Sequence, residues 1–88
     1  QLTPNAFYWL GELYLLNDDT EQARQSFAQV INIYPDHPKI ADTLYKLGIV
    51  YHRLGDTSRS IQYFDRVQAD YPASSAAGLA ANYASEIR

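Results

Sequence analysis

The chain has 88 residues, enough for about one small domain, and 47% of them are hydrophobic and 14% aromatic, a profile of a folded core rather than of disorder. A net charge of −3 and a pI near 5.1 argue against a nucleic-acid-binding face. The absence of cysteine excludes disulfides, thiol chemistry and cysteine-ligated zinc, and no apolar run approaches the roughly 20 residues of a membrane span.

The first predicted element covers about residues 4–16, where Thr3 supplies a capping hydroxyl and Pro4 opens the helix. Phe7, Leu10 and Tyr14 recur on one face at helical spacing. The second helix, about 20–33, starts at Asp19-x-x-Gln22, a capping-box pattern, and places Ala23, Phe27 and Val30 on its apolar face. Pro35 closes it, because proline lacks the amide hydrogen and crowds the preceding turn. His37-Pro38 restarts the chain into a third helix at about 38–54, which Gly55 ends in the left-handed conformation. Asp56 caps a fourth helix over about 57–70, Pro72 closes it, and Ser74-Ser75 begins a fifth over about 75–87. No stretch alternates with period two, so no sheet is expected.

These elements repeat. Leu10-Gly11 returns as Leu47-Gly48, Tyr14 as Tyr51, Phe27 as Phe64, Val30 as Val67 and Tyr34-Pro35 as Tyr71-Pro72, seven positions at one offset of 37. Ala41-Asp42-Thr43-Leu44 continues onto Gly78-Leu79-Ala80-Ala81, so the chain holds two full units (about 4–37 and 38–74) and the first helix of a third (about 75–88). The short link inside each unit makes its helices antiparallel neighbours. Gly11 and Gly48 stand mid-helix, where glycine costs about 1 kcal/mol against alanine. The expectation is that Phe27 and Phe64 pack into the space these glycines leave.

Phe7, Leu10-Gly11, Tyr14, Ala23, Phe27 and Pro35, followed by Leu44, Leu47-Gly48, Tyr51, Ser60, Phe64 and Pro72, resemble the tetratricopeptide repeat. Leu44 replaces its aromatic, Ser60 its alanine, and each unit is three residues longer than the standard. The resemblance implies an all-α right-handed solenoid of two helix-turn-helix repeats and a capping helix. More narrowly, Asn5-Ala6-Phe7-Tyr8-Trp9-Leu10-Gly11-Glu12, with Tyr34-Pro35-x-x-Pro38-Lys39-x-Ala41-Asp42 and Lys46-Leu47-Gly48, is similar to the C-terminal repeat domain of the Tol-Pal-associated cell-division coordinators of Gram-negative bacteria, the YbgF/CpoB family. His37 stands where that family commonly has serine. This likeness implies a periplasmic protein whose signal peptide and trimerising N-terminal coiled coil are not part of these residues. It also implies binding to TolA and coupling of septal peptidoglycan synthesis, by a bifunctional synthase, to outer-membrane constriction. Repeat lipoproteins of outer-membrane assembly share the Tyr-Pro-x-x-x-Lys spacing and stay open as an alternative. The start at Gln1, without Met, leader or anchor, fits a domain taken from a longer protein.

Nothing in the sequence asks for catalysis. His37 and His52 lie 15 residues apart and make no metal-binding pair on one helix. Asp18-Asp19 precedes a helix, where carboxylates complement the dipole. No serine has a nucleophile-elbow context, and no phosphate-binding or dinucleotide fingerprint appears. No enzyme activity, cofactor, nucleic acid or inserted membrane segment is therefore expected. Binding is: if Phe7, Leu10, Gly11 and Tyr14 face the core, Asn5, Tyr8, Glu12 and Leu15 point into the concave side of the stack. The same offset selects Asp42, Tyr45, Ile49 and His52, then Leu79, Asn82 and Glu86. The expected groove holds a peptide on two stacked tyrosines and apolar anchors, with amides and carboxylates setting register. Trp9, beside this line, is expected to cover the first helix, or to contact a partner or a second copy. Occupation of the groove by a second copy of the chain is the competing expectation.

Overall fold

The computed structural model describes residues 2–88, and in these it contains five helices: α1 (Pro4–Leu16), α2 (Thr20–Ile33), α3 (Ile40–Arg53), α4 (Thr57–Asp70) and α5 (Ser75–Ile87). None is long and apolar enough to cross a membrane. α1 pairs with α2 and α3 with α4; α2 then packs on α3, α4 on α5, and α3 on α5. The first helices of the units form one layer and the second helices another, which fits a Cα envelope of 36 × 27 × 17 Å.

The ends obey local chemistry. Thr3 Oγ1 accepts from the Ala6 amide at 3.1 Å, Asp56 Oδ1 from Arg59 at 3.0 Å and Ser74 Oγ from Ala77 at 3.1 Å. Gly55 sits at φ 85°, and Asp18, its counterpart 37 residues earlier, takes the same hand at φ 58°. The expected cap at Asp19 is not made: its side chain accepts no capping hydrogen bond. The third helix also starts two residues later than the sequence suggests. His37 Nδ1 accepts the Lys39 amide at 3.0 Å, which holds Pro38-Lys39 in a turn and leaves Ile40 to begin the helix. The helix then ends at Arg53, one residue early, because Leu54 is already in the turn that Gly55 completes.

Both glycines serve close approach. A Cβ on Gly11 would lie 2.6 Å from Cε1 of Phe27, and one on Gly48 would lie 2.6 Å from Cδ1 of Phe64. The two phenylalanines are fully buried, with Ala23, Val30, Leu44, Val50, Val67 and Ala80 around them. Ser60, which replaces the alanine of the first unit, is buried and donates its hydroxyl to the Gly48 carbonyl at 2.7 Å.

Equivalent positions are not equally buried. Leu44, Leu47 and Tyr51 are core, whereas Phe7, Leu10 and Tyr14, expected to be core too, are only half-buried. The reason is stacking: α2 covers one flank of α3, and no helix among the described residues covers that flank of α1. Leu13 is 56% exposed, while Val50, its counterpart, is fully buried. Trp9, Leu13 and Leu16 therefore form a bare apolar stripe on α1. Pro35 and Pro72 close α2 and α4 from exposed turns and make no core.

Candidate functional site

The inner wall of the stack is made by α1, α3 and α5. From the groove set, Asn5, Leu79, Asn82 and Glu86 are exposed, and Glu12, Asp42, Tyr45, Ile49 and His52 are half-buried. These residues offer apolar, aromatic, amide and carboxylate groups along a single surface.

Tyr8 and Leu15 correct the expectation: both are core rather than groove lining. The Tyr8 ring meets Phe27 edge-on at 5.6 Å and Trp9 at 5.5 Å, and the Lys39 ammonium lies 4.5 Å above it. Tyr8 and Tyr45 do not form a stacked pair. Each leans on the phenylalanine of its own unit, Tyr45 on Phe64 at 6.0 Å, because the glycine notch draws that ring up to the inner layer. Burial, with Glu12 and Asp42 next, pushes the Tyr8 phenol well above its ordinary range; burial and Tyr83 push Tyr45 the same way. Both stay neutral at physiological pH.

Three cations missed in the sequence join α1 to α3. Lys39 covers Tyr8, Lys46 Nζ pairs with Glu12 at 3.0 Å, and Arg53 Nη1 donates to the Leu15 carbonyl at 3.5 Å. Their spacing of seven residues, with Lys39 at the N-cap of α3 and Lys46 and Arg53 within it, sets them on one stripe and is legible in the sequence. Beneath the last two lies a cavity of about 190 Å³ lined by Glu12, Leu15, Leu16, Lys46 and Arg53. The α3–α5 seam is aromatic: Tyr83 meets His52 edge-on at 5.7 Å and Phe64 at 5.1 Å. The inner layer thus has a charged seam between α1 and α3 and an aromatic seam between α3 and α5, with Leu79 and Asn82 exposed on α5.

The arrangement can hold an extended segment by apolar contact while side-chain amides and carboxylates fix its register. Among the described residues no group of three or more His, Asp or Glu is placed to hold a metal ion. A family model described as tetratricopeptide repeat matches residues 2–73. No curated protein matches the chain.

Proposed function

The chain belongs to the tetratricopeptide repeat family, a fold that serves as a scaffold for protein–protein interaction, and from that premise we propose that it is a non-enzymatic binding module of the Tol-Pal envelope system. In this reading it works in the periplasm of a Gram-negative bacterium and binds TolA along the inner wall of α1, α3 and α5. A bifunctional peptidoglycan synthase is its second partner, so that septal wall synthesis keeps step with outer-membrane constriction. The observation that carries the binding surface is the line of side chains from Tyr45 and Ile49 to Leu79 and Asn82 on two adjacent first helices. The choice of TolA rests on the likeness of Phe7-Tyr8-Trp9-Leu10-Gly11-Glu12 and the Tyr34–Asp42 link to the division coordinators.

Titration calorimetry of the chain with TolA tests this. Leu79→Ala combined with Asn82→Ala removes two exposed groups without touching the core, so affinity is expected to fall at least about tenfold at constant helical content. Unchanged affinity rejects the groove. Absence of any heat with unmodified chain rejects TolA as the partner. Tyr8→Ala is unsuitable, because it opens the core.

A second reading, self-association, is supported by the exposure of Trp9 (57%), Leu13 (56%) and Leu16 (81%) on one stripe of α1 rather than by the groove. Sedimentation over a concentration range decides it. A rising mass that Leu13→Glu abolishes supports association through α1, and a strict monomer rejects it.

A further inference from the structure

On the side of α3 away from Ile49 and Asp42, a cavity of about 250 Å³ lies between the end of α3 and α4 and is lined by Tyr51, Arg59, Gln62, Tyr63 and Arg66. The four α4 residues follow the spacing i, i+3, i+4, i+7 and so share one helix face. The Tyr51 and Tyr63 rings stack at 5.3 Å with planes 10° apart, and the Arg59 guanidinium lies 5.5 Å from the Tyr51 centroid. Arg24 of α2, hydrogen-bonded to Glu21, stands beside the Tyr51 hydroxyl. In a chain of net charge −3, three of the seven lysines and arginines gather here.

The carboxylates nearby leave both guanidiniums of α4 available. Asp56, whose other carboxylate oxygen caps the helix at the Arg59 amide, comes no closer than 3.8 Å to the Arg59 guanidinium, and Asp70 no closer than 3.8 Å to that of Arg66, in exposed pairs that hold little. These two acids stand beyond the ends of the face, and Asp65, the one acid between them in sequence, turns to Arg88. The repeat supplies an internal control. Thirty-seven residues earlier the same face reads Gln22, Gln25, Ser26 and Gln29, and that unit folds into the same helix pair. Packing therefore does not demand cations at 59 and 66.

We propose that this face is a second binding site, taking an extended acidic peptide segment with two carboxylates three residues apart. Arg59 and Arg66 are seven helical residues apart, a rise of about 10 Å. Three residues of polyproline II chain rise about 9 Å and complete one turn, so side chains i and i+3 of such a segment share a face. Each carboxylate meets one guanidinium fork, and the backbone between them crosses the stacked tyrosines. A single tetrahedral anion is the poorer match, because it cannot face both forks without drawing them together.

Isotope-labelled chain titrated at low ionic strength with the peptide acetyl-Ala-Glu-Ala-Ala-Glu-Ala-amide, followed by amide chemical shifts, tests the site. Shifts are expected along residues 59–66 and near Tyr51, with none around Asn82. The double variant Arg59→Gln, Arg66→Gln, which installs the glutamines of the first unit, is expected to weaken binding about tenfold at unchanged circular dichroism. A matched peptide with Gln in place of Glu should leave the spectrum still. The proposal is overturned if the acidic peptide causes no shifts, if the double variant binds as well, or if the shifts fall in the groove. It is overturned equally if inorganic phosphate at the same concentration reproduces the pattern.

Discussion

One substitution made at three glycines tests the packing on which the stack depends. At Gly48, alanine would gain about 1 kcal/mol of helix propensity. Its Cβ, however, would stand 2.6 Å from Phe64 Cδ1 and 2.7 Å from Cζ, well inside contact distance. Phe64 cannot swing away: it is fully buried, with the Tyr83 ring at 5.1 Å and Tyr45 at 6.0 Å. Overpacking of this kind costs about 1–3 kcal/mol, so Gly48→Ala should lose about 1 kcal/mol net. Gly11→Ala meets Phe27 at 2.6 Å but should lose less, because α1 has one uncovered flank and can move outward. Gly78→Ala meets nothing within 4 Å on an exposed stretch of α5 and should gain about 0.5–1 kcal/mol. Urea unfolding followed at 222 nm ranks the three. Pairing Gly48→Ala with Phe64→Leu isolates the clash, since room made by the smaller side chain should recover part of the loss. If Gly48→Ala stabilises as much as Gly78→Ala, the notch is not the reason for the glycine and the docking argument fails.

Three further outcomes follow from single contacts. Lys46→Ala and Glu12→Ala, taken through a double-mutant cycle, should give a coupling of about 0.5–1 kcal/mol that shrinks in molar salt, because the pair joins α1 to α3 at 3.0 Å while each side chain stays about a quarter exposed. Ser74→Ala should cost about 1 kcal/mol in chemical unfolding by removing the hydroxyl that caps α5. Burial raises the phenols of Tyr8, Tyr45 and Tyr63 in the fold, so the unfolded chain ionises first as pH climbs past the ordinary tyrosine value of 10.0. Their contribution is complete below that pH and is lost above it. Unfolding midpoints measured from pH 8 to 11.5 should therefore fall at the alkaline end, and less steeply for Tyr8→Phe; an identical slope would contradict the burial of that hydroxyl.

Four of the five helices begin and end where the sequence places them, because the signals are local. Thr3 and Pro4, Asp56, Ser74 and Gly55 act within one turn of their own position, and period and punctuation report them directly. α3 is the exception, and its start depends on which way the His37 ring faces, a matter of side-chain rotation that spacing does not encode. Asp19 shows the same limit: the residue type suits a cap, yet its carboxylate makes no capping bond. The glycine–phenylalanine contacts were legible for a different reason. A residue that is costly in a helix recurred at the same register as a large ring on the neighbouring helix, so sequence alone paired them.

The groove was harder to read because equal register does not mean equal surroundings. Shifting by 37 equates Tyr8 with Tyr45 and Leu15 with His52, and on an endless solenoid each pair would share one environment. Here Tyr8 lies under Lys39 and Leu15 under Arg53, both reaching across from α3, while Tyr45 and His52 face α5, whose counterpart of Lys46 is Tyr83. A long cation reaches over a neighbouring helix and buries what lies beneath it; an aromatic ring stands beside its neighbour and leaves part of it open. The cation over Tyr8 is Lys39, whose counterpart on α5 is Ala76, so the change from lysine to alanine at that repeat position leaves Tyr45 of the preceding first helix available to a partner. Replacing Lys39 by alanine should uncover Tyr8 and Trp9, visible as greater quenching of tyrosine and tryptophan emission by acrylamide. If quenching does not change, the burial of Tyr8 comes from Phe27 and Trp9, and Lys39 lies beside the ring without covering it.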